Sequence, residues 1–217
     1  ATLDDSTYNP REAYSHGMYR GMASHAMAQG AGGIYLFNYF LTGYNEANQK
    51  LQPKEGTLVC RTIAPELLQE LGSLETLRKR NKIYALSDGA SSYELTPNSP
   101  LPLLIQQNTE AGIFIGDDVN ADEPQEVILF IRTNKKDSFS VSINGSALQQ
   151  INADYPRLYD KLTGIKEPQH VTAFIVPANV VIQGNNKIVF SASANELILQ
   201  RVELALKYGS VEECGYF

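Results

Sequence analysis

The sequence predicts a mixed chain: an N-terminal partial α/β region followed by an antiparallel, jelly-roll-like β-sandwich. Three observations predict it. A helical stretch passes through the glycine-rich turn Gly30-Ala31-Gly32-Gly33 into an apolar strand. The segment Ser87 to Pro102 then gathers Asp88-Gly89, Ser91-Ser92, Pro97, Pro100 and Pro102, which mark a boundary. Beyond it the pattern changes to short β-rich runs separated by turn residues. The expected division is residues 1–90, a linker over 91–102, and a sandwich over 103–210.

Composition bounds the function. The 217 residues allow one large domain or two small ones, and an apolar fraction of 43% is ordinary for a globular protein. The net charge is −6, and the longest basic run is Arg78-Lys79-Arg80. Phosphate binding needs a concentrated positive face, so a nucleic-acid partner is excluded. No run approaches the ~18 apolar residues of a membrane span. Cys60 and Cys214 lie far apart and read as two unpaired thiols, the alternative being a disulfide formed in an oxidising compartment. The opening Ala1-Thr2-Leu3-Asp4-Asp5 reads like the interior of a longer chain, so a processed or truncated product is expected.

Asn9 and Pro10 start the first helix, as cap and first helical residue. It is expected to run to about Gln29, with Gly30 just past its end. Tyr14, Met18, Met22 and Ala26 recur every four residues, beside Ala13 and Ala23, and form an apolar stripe. Gly17 and Gly21 would let the helix approach another element closely. His16 and His25 stand two and a half turns apart, the wrong spacing for a shared metal ligand pair, so they read as structural or solvated.

The strand Ile34 to Tyr39 reads as buried and parallel. The preceding glycines follow a helix and open a strand, the reverse of a phosphate loop, which excludes nucleotide binding. Ligands gather at the carboxyl ends of strands in parallel α/β folds. That makes Asn38 a candidate hydrogen-bonding residue and Tyr39 and Tyr44 candidate stacking residues for substrate. The bland alternative has Asn38 satisfying local backbone and the tyrosines packing. A helix follows at Ala64-Pro65-Glu66, covers Leu67, Leu68 and Leu71, and stops at Gly72. Ser73 caps a second short helix through Leu74, Leu77 and about Arg80, and Lys82 to Leu86 is strand-like. The first 90 residues thus supply one convincing strand and no evident neighbour for it, which leaves two rows of backbone groups unpaired.

In the second region the strand runs are Leu103–Gln107, Gly112–Ile115, Glu126–Thr133, Phe139–Ile143, Val171–Val176, Lys187–Ala192 and Leu197–Lys207. Phe139 to Ile143 alternates cleanly, so one face is buried and one wet. Asp117, Asp118, Asn120, Asp122 and Glu123 form an oxygen-rich loop. It lacks the glycine and terminal glutamate of a calcium loop and reads as a solvated acidic turn. Asn144-Gly145-Ser146 matches a glycosylation sequon but reads as a hairpin turn. Residues 149–169 hold Tyr155 and Tyr159, which either line a sugar site or cap one end of the sandwich.

Two stretches resemble known families. Arg20, Ala23 and Ala26, then Gly30 through Asn38, Glu66 through Gly72, Leu74 with Leu77, and Lys82 with Tyr84 resemble the end of the (β/α)8 barrel in bacterial glycoside-hydrolase-like proteins. Gly32 departs from that pattern, where an acidic residue is expected. The resemblance implies that Ile34–Tyr39 is the last barrel strand. The earlier strands, where that family places its catalytic carboxylates, are missing, so no catalytic residue is carried over. Val141 through Leu148, and Val176-Pro177 followed by Gly184 through Ile188, resemble the hairpin and last strands of galactose-binding-like sandwiches. Such sandwiches commonly follow these barrels.

The leading expectation is the C-terminal portion of a glycoside hydrolase, inactive alone because hydrolysis needs two placed carboxyl groups. Its partners would be a carbohydrate and an upstream barrel segment from the same protein or another chain. A secreted, periplasmic or cell-surface location fits that reading. The alternative is a non-catalytic carbohydrate-binding or cell-surface interaction module. A self-contained enzyme has less support: His16, His25 and His170 lack partners at motif spacing, and no cofactor or metal pattern is present.

Overall fold

The structure is a computed structural model of the 217-residue chain. It describes residues 2–4, 16–37, 65–87, 100–153, 170–193 and 196–209. Mostly antiparallel sheets with a few helices make up these parts.

Helix α1 spans His16–Ala28. It ends as its sequence dictates. Gly30 adopts φ +93°, its N–H reaches the Met27 carbonyl at 2.9 Å, and the Ala31 N–H reaches the Ala26 carbonyl at 3.1 Å. These two bonds form a Schellman cap, which needs a residue without a Cβ at the turn. The expected start at Asn9 and Pro10 lies outside the described residues, as do Ala13 and Tyr14.

Strand β1 (Thr2–Asp4) pairs in parallel with β2 (Tyr35–Phe37), and α1 forms part of the connection between them. This corrects two expectations. The strand is not isolated, because one of its edges is paired within the chain. It is also not wholly buried: Tyr35 is 63% exposed, while Ile34 and Leu36 pack against the helices. A strand with period two places Tyr35 on the face opposite its neighbours. An apolar run alone cannot tell one-sided from two-sided burial.

Two short helices follow, α2 (Pro65–Glu70) and α3 (Leu74–Leu77). Ser73 caps α3: its Oγ accepts from the Thr76 N–H at 3.1 Å, and Thr76 Oγ1 accepts from the Ser73 N–H at 3.2 Å. Leu67, Leu71 and Leu77 bury against Tyr19 and Ala23 of α1.

The rest is a sandwich of two antiparallel sheets. The larger has six strands: β3 (Lys82–Ser87), β12 (Ile198–Lys207), β6 (Glu126–Thr133), β10 (His170–Ile175) and β9 (Gln149–Ile151) in that order, with β4 (Leu103–Leu104) also paired to β12. The smaller runs β5 (Thr109–Ile115), β11 (Gly184–Ala192), β7 (Phe139–Ile143) and β8 (Ser146–Ala147). Leu129, Ile131, Val202 and Leu204 from the first sheet meet Ile113, Ile143, Ile188 and Phe190 from the second in one core. Strand β3, which the sequence placed at the exit of the α/β region, is hydrogen-bonded into the sandwich along β12.

Helix α1 lies on the outer face of the six-stranded sheet. Met18 packs there with Ile83, Ile128, Phe130, Ala173 and Ala205. The helix therefore touches two bodies, the sheet on one side and α2 and α3 on the other. Its buried residues are Gly17 to Gly21, Ala23 and Ser24, not the four-residue stripe alone; Met22 and Ala26 are only half-buried.

Candidate functional site

The candidate site is the seam where α1 meets the sandwich. Gly21 makes it possible. A Cβ built there would stand 2.0 Å from the Ile83 carbonyl oxygen, so helix and β3 touch at backbone level. One turn on, Ser24 lies against the turn after β5, where a Cβ on Gly116 would meet the Ser24 carbonyl oxygen at 2.5 Å. Both glycines are required by close approach.

That approach encloses a polar cluster. Lys82 heads β3 on the same face as Tyr84 and is fully buried. Its ammonium donates to the carbonyls of Leu77 and, at 3.2 Å, Arg80, and pairs with Asp117 Oδ2 at 2.9 Å. Three donors meet three acceptors, which is what a buried ammonium requires. Asp117 Oδ1 accepts from Ser24 Oγ of α1 at 3.0 Å. The Tyr84 hydroxyl donates to Ser24 Oγ at 2.9 Å and accepts from the Gly116 N–H at 3.2 Å. Tyr208, just past β12, lays its ring 5.4 Å from the Lys82 ammonium and donates to Asp117 Oδ2 at 3.4 Å.

A second branch reaches the helical layer. Arg20 Nε of α1 pairs with Glu70 Oε2 of α2 at 2.6 Å, and Arg20 also donates to the Asn81 carbonyl at 3.4 Å. Asn81 Oδ1 in turn accepts from the backbone N–H groups of Tyr208 at 2.8 Å and Gly209 at 3.1 Å. Arg78 binds Asp122, in the short helix α4 (Val119–Asp122), and Asp118 caps that helix by accepting from the Ala121 N–H at 3.1 Å.

The acidic loop is thus corrected. Asp117 and Asp122 are buried and paired with Lys82 and Arg78; only part of the loop faces solvent. A loop composition does not show that cations from a preceding strand and turn will fold over it. One signal was present in the sequence: Lys82 shares the strand face of Tyr84 and Leu86, and an inward lysine needs a carboxylate.

The electrostatics follow from burial. Desolvation pulls the Lys82 ammonium below its ordinary pKa, although Asp117 pulls the other way. Desolvation pushes the Tyr84 hydroxyl well above its ordinary value, and the Asp117 charge adds to this. The Tyr208 hydroxyl is raised for the same two reasons. The groups satisfy one another's hydrogen bonds and charge, so the chemistry of this cluster is cohesion. Ser24 and Lys82 are fully buried and their contacts are internal.

The sequence-predicted substrate residues Asn38, Tyr39 and Tyr44 lie outside the described residues, as do Cys60, Cys214, Tyr155 and Tyr159. His25 is structural: its ring stands edge-on to Phe114 with centroids 5.1 Å apart. Asn144 and Gly145 form the expected turn, with φ +48° and +86°. The Asn144 amide nitrogen donates to the Val180 carbonyl at 2.7 Å and to Asn186 Oδ1 at 2.8 Å.

No protein-family model and no curated protein matches the chain. Solved structures do. One is a β-porphyranase of glycoside hydrolase family 86 from the human gut bacterium Bacteroides plebeius, at 11% identity and TM-score 0.39, over 61% of this chain and 21% of that one. Two others are a glycoside hydrolase family 86 protein, wild type and a variant, each in complex with neoagarooctaose. Both align at 16% identity and TM-score 0.35, over 58% of this chain and 19% of theirs. The chain therefore spans about a fifth of the length of the structures it matches.

Proposed function

We propose that this chain is the C-terminal portion of a glycoside-hydrolase-like, carbohydrate-active protein, in which the sandwich buttresses the last βα unit of a barrel. One observation carries the reading. A parallel β1–α1–β2 unit, with two paired strands among the described residues, is docked at backbone contact onto an antiparallel sandwich. Parallel strands belong to sheets covered on both faces. Here Ile34 and Leu36 face helices, while Tyr35 stands exposed on the other face. In a barrel, that other face is the packed interior. Residues just beyond β2, Asn38, Tyr39 and Tyr44, would then approach the carbohydrate from the carboxyl end of the strand.

In this reading the chain alone is inactive, because glycosidic cleavage needs two carboxyl groups placed about 5–10 Å apart across the scissile bond. The buried carboxylates Asp117 and Asp122 are committed to Lys82 and Arg78. The test is calorimetric titration of the 217-residue chain with a glycan panel that includes neoagarooctaose. Weak or absent binding agrees with an incomplete site. Saturable micromolar binding by the 217-residue chain would favour the alternative, a non-catalytic carbohydrate-binding module.

A further inference from the structure

We propose that Tyr208–Gly209 is a latch: it holds α1 on the sandwich, so that releasing the end of β12 frees the helix while the sandwich stays folded. Strand β12 ends at Lys207, and the chain turns immediately across the seam. Both following N–H groups are held by one atom, Asn81 Oδ1, at 2.8 and 3.1 Å. Asn81 is itself buried, and its carbonyl accepts from Arg20 of α1. The Tyr208 hydroxyl donates to Asp117, whose other oxygen accepts from Ser24 of α1. Two separate hydrogen-bonded paths therefore run from the latch to the helix. The Tyr208 ring lies over the Lys82 ammonium at 5.4 Å. Removing it admits water to the Lys82–Asp117 pair, raises the local dielectric and weakens each contact that the pair supports. Tyr208 and Tyr84 also meet the rim of the inter-sheet core, but the bulk of that core, with Leu129, Ile188 and Leu204, is made by residues of the two sheets packing on one another. Local opening of α1 with the sandwich intact is thus the low-energy excursion.

Hydrogen exchange read by mass spectrometry on the 217-residue chain tests this. Tyr208→Ala should speed exchange of peptides within residues 18–28 by about tenfold or more and leave peptides from β6 and β11 unchanged. Tyr208→Phe keeps the ring and loses only the long hydroxyl contact, so its effect on α1 should be several-fold smaller. Uniform acceleration across α1, β6 and β11 would show ordinary global destabilisation and overturn the latch. Unchanged exchange in α1 would overturn it as well. If Tyr208→Ala does not accumulate as folded protein, Tyr208→Leu, which keeps apolar cover without the ring face or hydroxyl, is read by the same criteria.

Discussion

Replacing Gly21 with alanine tests the docking of the helix most sharply. In an ordinary helix interior this change stabilises by about 1 kcal/mol. Here the new methyl carbon would stand 2.0 Å from the Ile83 carbonyl oxygen and 2.7 Å from its carbon. Both are backbone atoms of a strand paired along β12, so they have little room to yield. The helix must retreat instead, and overpacking of this kind costs about 1–3 kcal/mol. Retreat also stretches the Ser24–Asp117 and Tyr84–Ser24 bonds, now 3.0 and 2.9 Å. Leaving such buried groups unpaired adds about 1–3 kcal/mol. Against the helix-propensity gain, the net loss is roughly 3 kcal/mol. Urea unfolding followed by circular dichroism measures it. Gly112→Ala in β5, where an added Cβ meets nothing within 4 Å, is the control and should change little. A Gly21→Ala protein as stable as the parent would refute backbone-level docking of α1.

Three further outcomes follow from the same geometry. Lys82→Met leaves buried Asp117 without its cation and should cost about 3–5 kcal/mol, while pairing it with Asp117→Asn should cost less than the sum of the single changes in a double-mutant cycle. Tyr84 carries a raised hydroxyl pKa, so the folded protein keeps a proton that the unfolded chain releases above about pH 10. Its contribution is complete below that pH and is lost as pH rises; in alkaline urea titrations the parent should lose about 1.4 kcal/mol per pH unit more than Tyr84→Phe. Lys82, whose pKa is lowered, acts in the opposite direction up to its unfolded value of 10.5, and the comparison cancels it because both proteins carry it. Asn144→Ala removes two donated bonds and the acceptor of the Lys187 N–H at 2.9 Å, and should destabilise the fold by roughly 2 kcal/mol, measured by urea unfolding.

The sandwich was largely legible in the sequence. Glu126–Thr133 and Phe139–Ile143 are strands at the expected bounds, because alternation and turn chemistry are local signals. The helix stop at Gly30 and the Ser73 cap were legible for the same reason. Lys82 to Leu86 reads as strand-like, and the strand runs one residue further, but its partner, β12, lies more than a hundred residues away, and pairing across that distance leaves no local trace. The seam was hidden in a similar way. Lys82, Asp117, Ser24 and Tyr208 come from four separate stretches, and apart from the strand phase of Lys82 nothing local links them until the fold brings them together. Gly21 did announce a close approach, although not what the helix approaches. The candidate substrate residues Asn38, Tyr39 and Tyr44 stay sequence-based proposals.

The central claim, an incomplete carbohydrate-active unit rather than an independent enzyme, is met most directly by product analysis. The purified 217-residue chain would be incubated for a long period with a panel of polysaccharides, and the products resolved by size. The account predicts no shortening of any polymer. Release of oligosaccharides, absent from a mock-purified control, would contradict it.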